Sequence, residues 1–115
     1  MEFRLTSRMA EQMKYTDECL ITEFGARLNE LRDENEMKKT SGAAILRKLI
    51  EEGYVMEERM MKKTKRTVLE KGALMGIYLK TQISEKGNEY EVFCLEEKAQ
   101  REIVGKMLDE WSDMK

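Results

Sequence analysis

Apolar residues recur along this chain at spacings that switch between the helical and the extended period, and the switches predict its elements. The best-marked stretch runs from Lys38 to Tyr54. Leu46, Leu49 and Ile50 stand at i, i+3 and i+4, one apolar stripe of a helix, which leaves Ala44, Arg47, Lys48 and Glu51 on the other side. Thr40 or Ser41 supplies a side-chain oxygen for an unpaired N–H of the first turn. Gly53 stands where the chain must leave the helix, a place that favours a residue tolerant of positive φ.

Upstream, Glu2 to Leu5 reads as a short strand or a frayed end, and Thr6 or Ser7 opens a helix that runs to about Tyr15 with Met9 and Met13 on one face. A helix with so few large apolar residues packs either against a second copy of the chain, giving a homodimer, or over its own core. From Cys19 the pattern strengthens. Thr22 is the expected cap, Glu23 suits the positive end of the helix dipole, and Phe24, Leu28 and Leu31 repeat at i, i+4 and i+7. Gly25 inside this helix costs about 1 kcal/mol against alanine, and a close approach of another helix would account for it. Asn35 is the expected terminator, and Glu36 to Lys39 make a turn. Two helices joined in this way form a helix-turn-helix pair.

Downstream, Tyr54 to Met56 predicts a brief strand, and Glu57 to Lys65 a polar loop. Thr67 and Glu70 have the spacing of a capping box that would start a short helix ending near Gly72 or Gly76. Residues 77–83 and 90–95 alternate as two strands of a hairpin, with Tyr78, Lys80 and Gln82 on one face and Ile77, Leu79 and Thr81 on the other; Glu85 to Asn88 make the turn. The last helix starts at Glu96. Ala99, Ile103, Met107 and Trp111 form its stripe, Val104 and Leu108 widen it, and Trp111 either anchors it on the core or offers an anchor to a partner.

Composition narrows the classes. The 115 residues fit one domain, 1–115, with an N-terminal helical extension over 1–18 and a core over 20–108. Lysine and arginine number 21 against 23 acids, a net charge of −2 that argues against a non-specific nucleic-acid coat but leaves room for a local basic patch. That patch is Met61 to Arg66, which holds Lys62, Lys63, Lys65 and Arg66. It is either a solvated loop or a set of phosphate contacts that gives affinity without reading sequence. No apolar run approaches a membrane span and no signal-peptide pattern opens the chain, so the expected place is the cytoplasm.

Cys19 and Cys94 stand far apart, without metal-ligand spacing, and there is no histidine. Zinc sites and near-neutral general bases draw on those residue types. No metal, cofactor or catalytic residue is therefore expected, nor an enzyme. Both cysteines are expected as small buried or half-buried apolar residues. Ten methionines, Met56, Met60 and Met61 among them, serve either as core filler and exposed helix residues or as an adaptable contact surface.

The order helix, helix, turn, helix, strand, hairpin, helix resembles a winged helix-turn-helix domain. Ile21 to Leu31 resembles the first helix of its pair, and Ile45 to Val55 the second helix with the strand after it. Thr67 to Ile77 is similar to a glycine-spaced stretch, ending in Gly-Ile, of small proteins from bacteriophages and mobile elements, in the style of antirepressor C-terminal domains. The resemblance covers roughly residues 20–108. It implies an α+β, mainly α fold: a three-helix winged-helix-like core, a β-hairpin and a C-terminal helix. It also implies a DNA-binding regulator in the host cytoplasm, docking Lys38, Lys39, Ser41, Arg47 and Lys48 on the duplex while Lys62, Lys63, Lys65 and Arg66 hold the backbone. The other reading is a protein that binds and blocks a host defence nuclease, as anti-CRISPR proteins do. Glu51 on the helix face and the mixed charges of residues 85–89 leave room for that second reading.

Overall fold

Five helices and two antiparallel sheets make up residues 2–111, the part of the chain that the computed structural model describes; of the domain expected over 1–115, residue 1 and residues 112–115 lie outside it. In chain order the elements are α1 (Ser7–Gln12), β1 (Glu18–Leu20), α2 (Ile21–Leu31), α3 (Gly42–Glu51), β2 (Val55–Met60), β3 (Lys63–Val68), α4 (Glu70–Met75), β4 (Ile77–Ile83), β5 (Glu89–Glu96) and α5 (Glu97–Asp109). One sheet has the order β1-β5-β4; the other is the β2–β3 hairpin alone. Strands thus take a larger share than the expected mainly α fold.

Side-chain caps set several helix starts. The Thr6 hydroxyl accepts the Met9 N–H at 3.2 Å, and the Ser41 hydroxyl accepts the Ala44 N–H at 3.1 Å. The α2 start differs from expectation. It begins at Ile21, and the Glu23 carboxylate reaches back to accept the Leu20 N–H at 2.9 Å, so Thr22 lies inside the first turn. The helix also stops at Leu31, before Asn35, because the segment from Arg32 is drawn back across it. The Asn29 side chain accepts the Thr40 N–H and donates to the Thr40 carbonyl, both at 2.8 Å, and Arg32 donates to the Met37 carbonyl at 3.0 Å.

The stripe of α3 is rotated from the expected one. Gly42, Ala44, Ile45 and Leu49 are buried, Leu46 is half-buried and Ile50 is exposed, so Ala44 belongs to the core face. The rotation follows from how the two helices meet. A Cβ on Gly25 would lie 2.7 Å from the Gly42 nitrogen, and one on Gly42 would lie 3.0 Å from the Thr22 Cα. Only two glycines facing each other let α2 and α3 approach so closely, and that contact turns Gly42 and Ile45 inward.

Glu57 to Lys65 is not a loop. Val55 to Met60 pairs with Lys63 to Val68 across the tip Met61–Lys62, with Val55 opposite Val68 and Met60 opposite Lys63. Thr67 is consequently a strand residue and caps nothing; α4 starts after Leu69, without a side-chain cap. Gly72 lets α4 sit against the preceding turn, since a Cβ there would meet the Tyr54 carbonyl oxygen at 2.2 Å. The β4–β5 hairpin has the expected strands, and β1 adds to β5 through Leu20 opposite Cys94.

One core joins these parts. Phe3, Leu5, Met9 and Met13 enter it, so α1 covers the core of its own chain. Phe24, Leu28, Ile45, Leu49, Val55, Leu95 and Ile103 fill its centre. Ala99, Ile103, Val104, Met107 and Trp111 are buried as the α5 pattern requires, while Leu108 faces outward. Trp111 is an internal anchor, and its Nε1 donates to the Glu52 carboxylate at 3.1 Å. Both cysteines are buried and free, and burial pushes the Cys19 thiol up to about 11, which keeps it an apolar packing residue.

The Gly25–Gly42 contact gives the first test. Gly25→Ala gains about 1 kcal/mol of helix propensity but forces α2 and α3 apart, so a net loss of about 1–3 kcal/mol is expected in urea unfolding. Unchanged or raised stability would show that the helices do not depend on this approach.

Candidate nucleic-acid interface

The strand register decides where the basic cluster points. Side chains alternate between the two faces of a strand. In β2–β3, one face carries Val55, Glu57 and Arg59 with Thr64, Arg66 and Val68; the other carries Met56, Glu58 and Met60 with Lys63, Lys65 and Thr67. Val55 is buried, so the first face looks inward. The four basic residues are therefore divided. Lys63 and Lys65 are exposed on the outer face, Lys62 is exposed at the tip, and Arg66 turns in.

Arg66 is a structural residue in this setting. Its Nε donates to the Glu57 carboxylate at 3.0 Å and its Nη1 donates to the Glu91 carbonyl at 2.9 Å, which ties the hairpin to β5. Both members of the ion pair are only 27% exposed, so solvent screens them less than an open surface pair. The sequence offered no means of separating Arg66 from its three lysine neighbours, because the separation needs the strand parity that a loop lacks.

Two hollows flank the hairpin. One, of about 290 Å³, is lined by Leu46 of α3, by Glu57 and Arg66, and by Leu20, Val92 and Phe93 among others. The second, of about 570 Å³, lies between Lys62, Lys63, Thr64 and Arg66 on one side and Thr81, Glu89, Tyr90 and Glu91 on the other. Arg66 and Tyr90 line both. The inner face of the hairpin and one side of α3 thus border a common cleft.

The residues expected on the helix and turn are more scattered. Lys38 and Lys39 are exposed in the segment before α3, and Lys38 lies 4.0 Å from the Glu2 carboxylate. Ser41 is engaged as the α3 cap. Arg47 is exposed, and Lys48 is half-buried beside Glu51 at 3.6 Å. The exposed side of α3 consists of Ala43, Arg47, Ile50 and Glu51, less polar than the expected one. Lys39, Lys62, Lys63 and Lys65 have no ion-pair partner among the described residues.

The apolar part of this surface comes from two of the methionines for which the sequence left an adaptable contact surface open, Met60 and Met61. Met60 is half exposed and Met61 fully so, which makes the hairpin tip a mixed surface of two methionines and two lysines. Their adjacency to Lys62 and Lys63 was the available signal. Comparison with protein-family models, curated proteins and solved structures gives no match. No helix among the described residues is long and apolar enough to cross a membrane.

Arg66 and Lys65 separate under substitution. Arg66→Ala is expected to lower stability by about 1.5–3 kcal/mol, the worth of hydrogen bonds to a charged group, while Lys65→Ala stays within about 0.5 kcal/mol. Thermal or urea unfolding of the two variants checks this, and equal effects would contradict the inward placement of Arg66.

Proposed function

We propose that the chain is a non-enzymatic nucleic-acid-binding module of the winged helix-turn-helix kind, a phage or mobile-element regulator that docks α3 and the β2–β3 hairpin on duplex DNA. The observation that carries this reading is the placement of the lysines. The chain passes from α3 through Gly53 and Tyr54 directly into a hairpin with Lys62, Lys63 and Lys65 outward, and the base of that hairpin shares a cleft with α3. On this reading the wing is β2–β3 rather than β4–β5. Its lysines sit on phosphates and supply affinity. Ala43, Arg47 and Ile50 face the groove, a surface suited to apolar contact with thymine methyls beside an arginine.

Two features qualify the resemblance. The segment from Arg32 to Ser41 is longer than the turn of about three to four residues in the tightest helix-turn-helix pairs. Winged helices also serve protein partners as readily as DNA. Exposed Met60 and Met61 support the second reading, a protein-binding wing that blocks a host defence nuclease.

Fluorescence anisotropy against salt with a labelled duplex tests the first reading. Replacing Lys62, Lys63 and Lys65 with alanine is expected to leave the fold intact and to lower the slope of log affinity against log salt by about 2–3, since each phosphate contact contributes about 0.9. An identical slope in the variant removes the hairpin from the interface. Absence of duplex binding, together with a stoichiometric protein partner lost on replacing Met60 and Met61, would favour the second reading.

A further inference from the structure

Among the described residues, the outer edge of β4 is the sheet edge that lacks a defence. An exposed edge offers unpaired N–H and C=O groups to any second strand, and chains guard against this with short strands, charge, proline or bulges. β1 has three residues. The strands of the hairpin carry Glu57, Glu58 and Arg59 on β2 and Lys63, Lys65 and Arg66 on β3. The part of β5 beyond β1 receives Arg66 at the Glu91 carbonyl. β4 has seven residues, Ile77 to Ile83, without proline or any interruption of its register with β5. Its only charge is Lys80, and the Glu18 carboxylate of β1 holds that lysine at 2.8 Å.

The direction of the free groups follows from the two ends of the β4–β5 ladder. The Glu96 N–H donates to the Gly76 carbonyl at 2.9 Å, and the Ser84 N–H donates to the Asn88 carbonyl at 2.8 Å. Bonded and non-bonded pairs alternate in an antiparallel ladder. Tyr78, Lys80 and Gln82 therefore bond to β5, while Leu79, Thr81 and Ile83 turn their main-chain groups outward. No other strand or backbone group among the described residues takes these up. Lys80, Thr81 and Ile83 are exposed, Ile83 to 68%.

We propose that β4 pairs antiparallel with β4 of a second copy of this chain, across a two-fold axis at Thr81. In that register Thr81 faces its own counterpart, Leu79 faces Ile83, and Lys80 faces Gln82. The outward groups then exchange about six main-chain hydrogen bonds. On one face the exposed Ile83 covers the half-buried Leu79 of the other copy, and on the other face Lys80 meets an amide instead of a like charge. The neighbouring registers fit worse. Centring on Lys80 sets two lysines opposite each other, centring on Gln82 sets Leu79 against Glu85, and centring on Leu79 carries Ile83 past the end of the partner strand. The edge is thus self-complementary, and the contact closes at two copies. It does not rest on duplex binding by α3 and the hairpin.

Sedimentation of the full chain over a range of concentrations tests the pairing. A mass rising from one copy to two is expected, with the dissociation constant raised roughly tenfold or more by Thr81→Pro. A proline at that position removes an outward N–H and no bond to β5. Ile83→Lys puts a charge at an exposed position and is expected to weaken the dimer as well, so it decides the matter should Thr81→Pro fail to fold. Thr81→Cys reads the register. The Cα atoms of a bonded pair lie about 5.5 Å apart, within reach of a disulfide. Mild oxidation should therefore link two copies of the Thr81→Cys chain and leave the natural chain, with both cysteines buried, unlinked. A monomeric mass at about 1 mM, the weak end of association, overturns the pairing, as does a dimer that withstands both edge substitutions. A dimer that Thr81→Cys does not link overturns the register.

Discussion

The close crossing of α2 and α3 at Gly25 and Gly42 governs the arrangement of everything after it. With a Cβ on Gly25 only 2.7 Å from the Gly42 nitrogen, no larger residue fits at this contact without the helices parting. That approach fixes the rotation of α3 about its own axis. Ile45 and Leu49 turn to the core, and Ala43, Arg47 and Ile50 turn out. It also fixes where Tyr54 arrives, and Tyr54 in turn receives α4 at Gly72 and the Leu69 N–H on its carbonyl. The hairpin between them has its base set from both ends.

From that base, alternation along two paired strands sorts the chain's densest run of positive charge into separate tasks. Arg66 faces inward and holds the hairpin against β5, through Glu57 and the Glu91 carbonyl. Lys63 and Lys65 face outward and Lys62 stands at the turn. The same register brings Met60 and Met61 to the tip, so the outward charge is interleaved with adaptable apolar side chains. This combination fits a phosphate backbone and fits a protein surface, which is why the two readings of function share their residues and part only in the partner.

Much of the fold was legible because strong periodicity leaves few alternatives. The α5 stripe, the β4–β5 hairpin and the reason for Gly25 could all be read from spacing, and the α3 cap was narrowed to Thr40 or Ser41, of which Ser41 serves. The errors cluster where a tertiary contact overrode a local signal. Thr22 offered a hydroxyl, but Glu23 reached back to the Leu20 N–H and moved the start. Asn35 looked like a stop, but Asn29 paired with Thr40 and ended the helix sooner. Polar residues from Glu57 to Lys65 resembled a loop because a hairpin with one wet face and a salt-bridged inner face carries almost no apolar alternation. The candidate site suffered from that last error most, since the parity of Arg66 could not be read without the strands. Arg27 stands outside the α2 stripe of Phe24, Leu28 and Leu31, and only the packing of the chain shows it half-buried with its Nη1 covered.

Chemical-shift mapping of the ¹⁵N-labelled chain on addition of a duplex measures the central claim directly, for it reports which surface is covered rather than how tightly. The expected result is perturbation concentrated in α3 from Ala43 to Ile50 and in the hairpin from Met60 to Lys65, with α5 and the Tyr78 face of β4 unaffected. Perturbation centred on that sheet face or on α5, with α3 and the hairpin silent, would contradict the account.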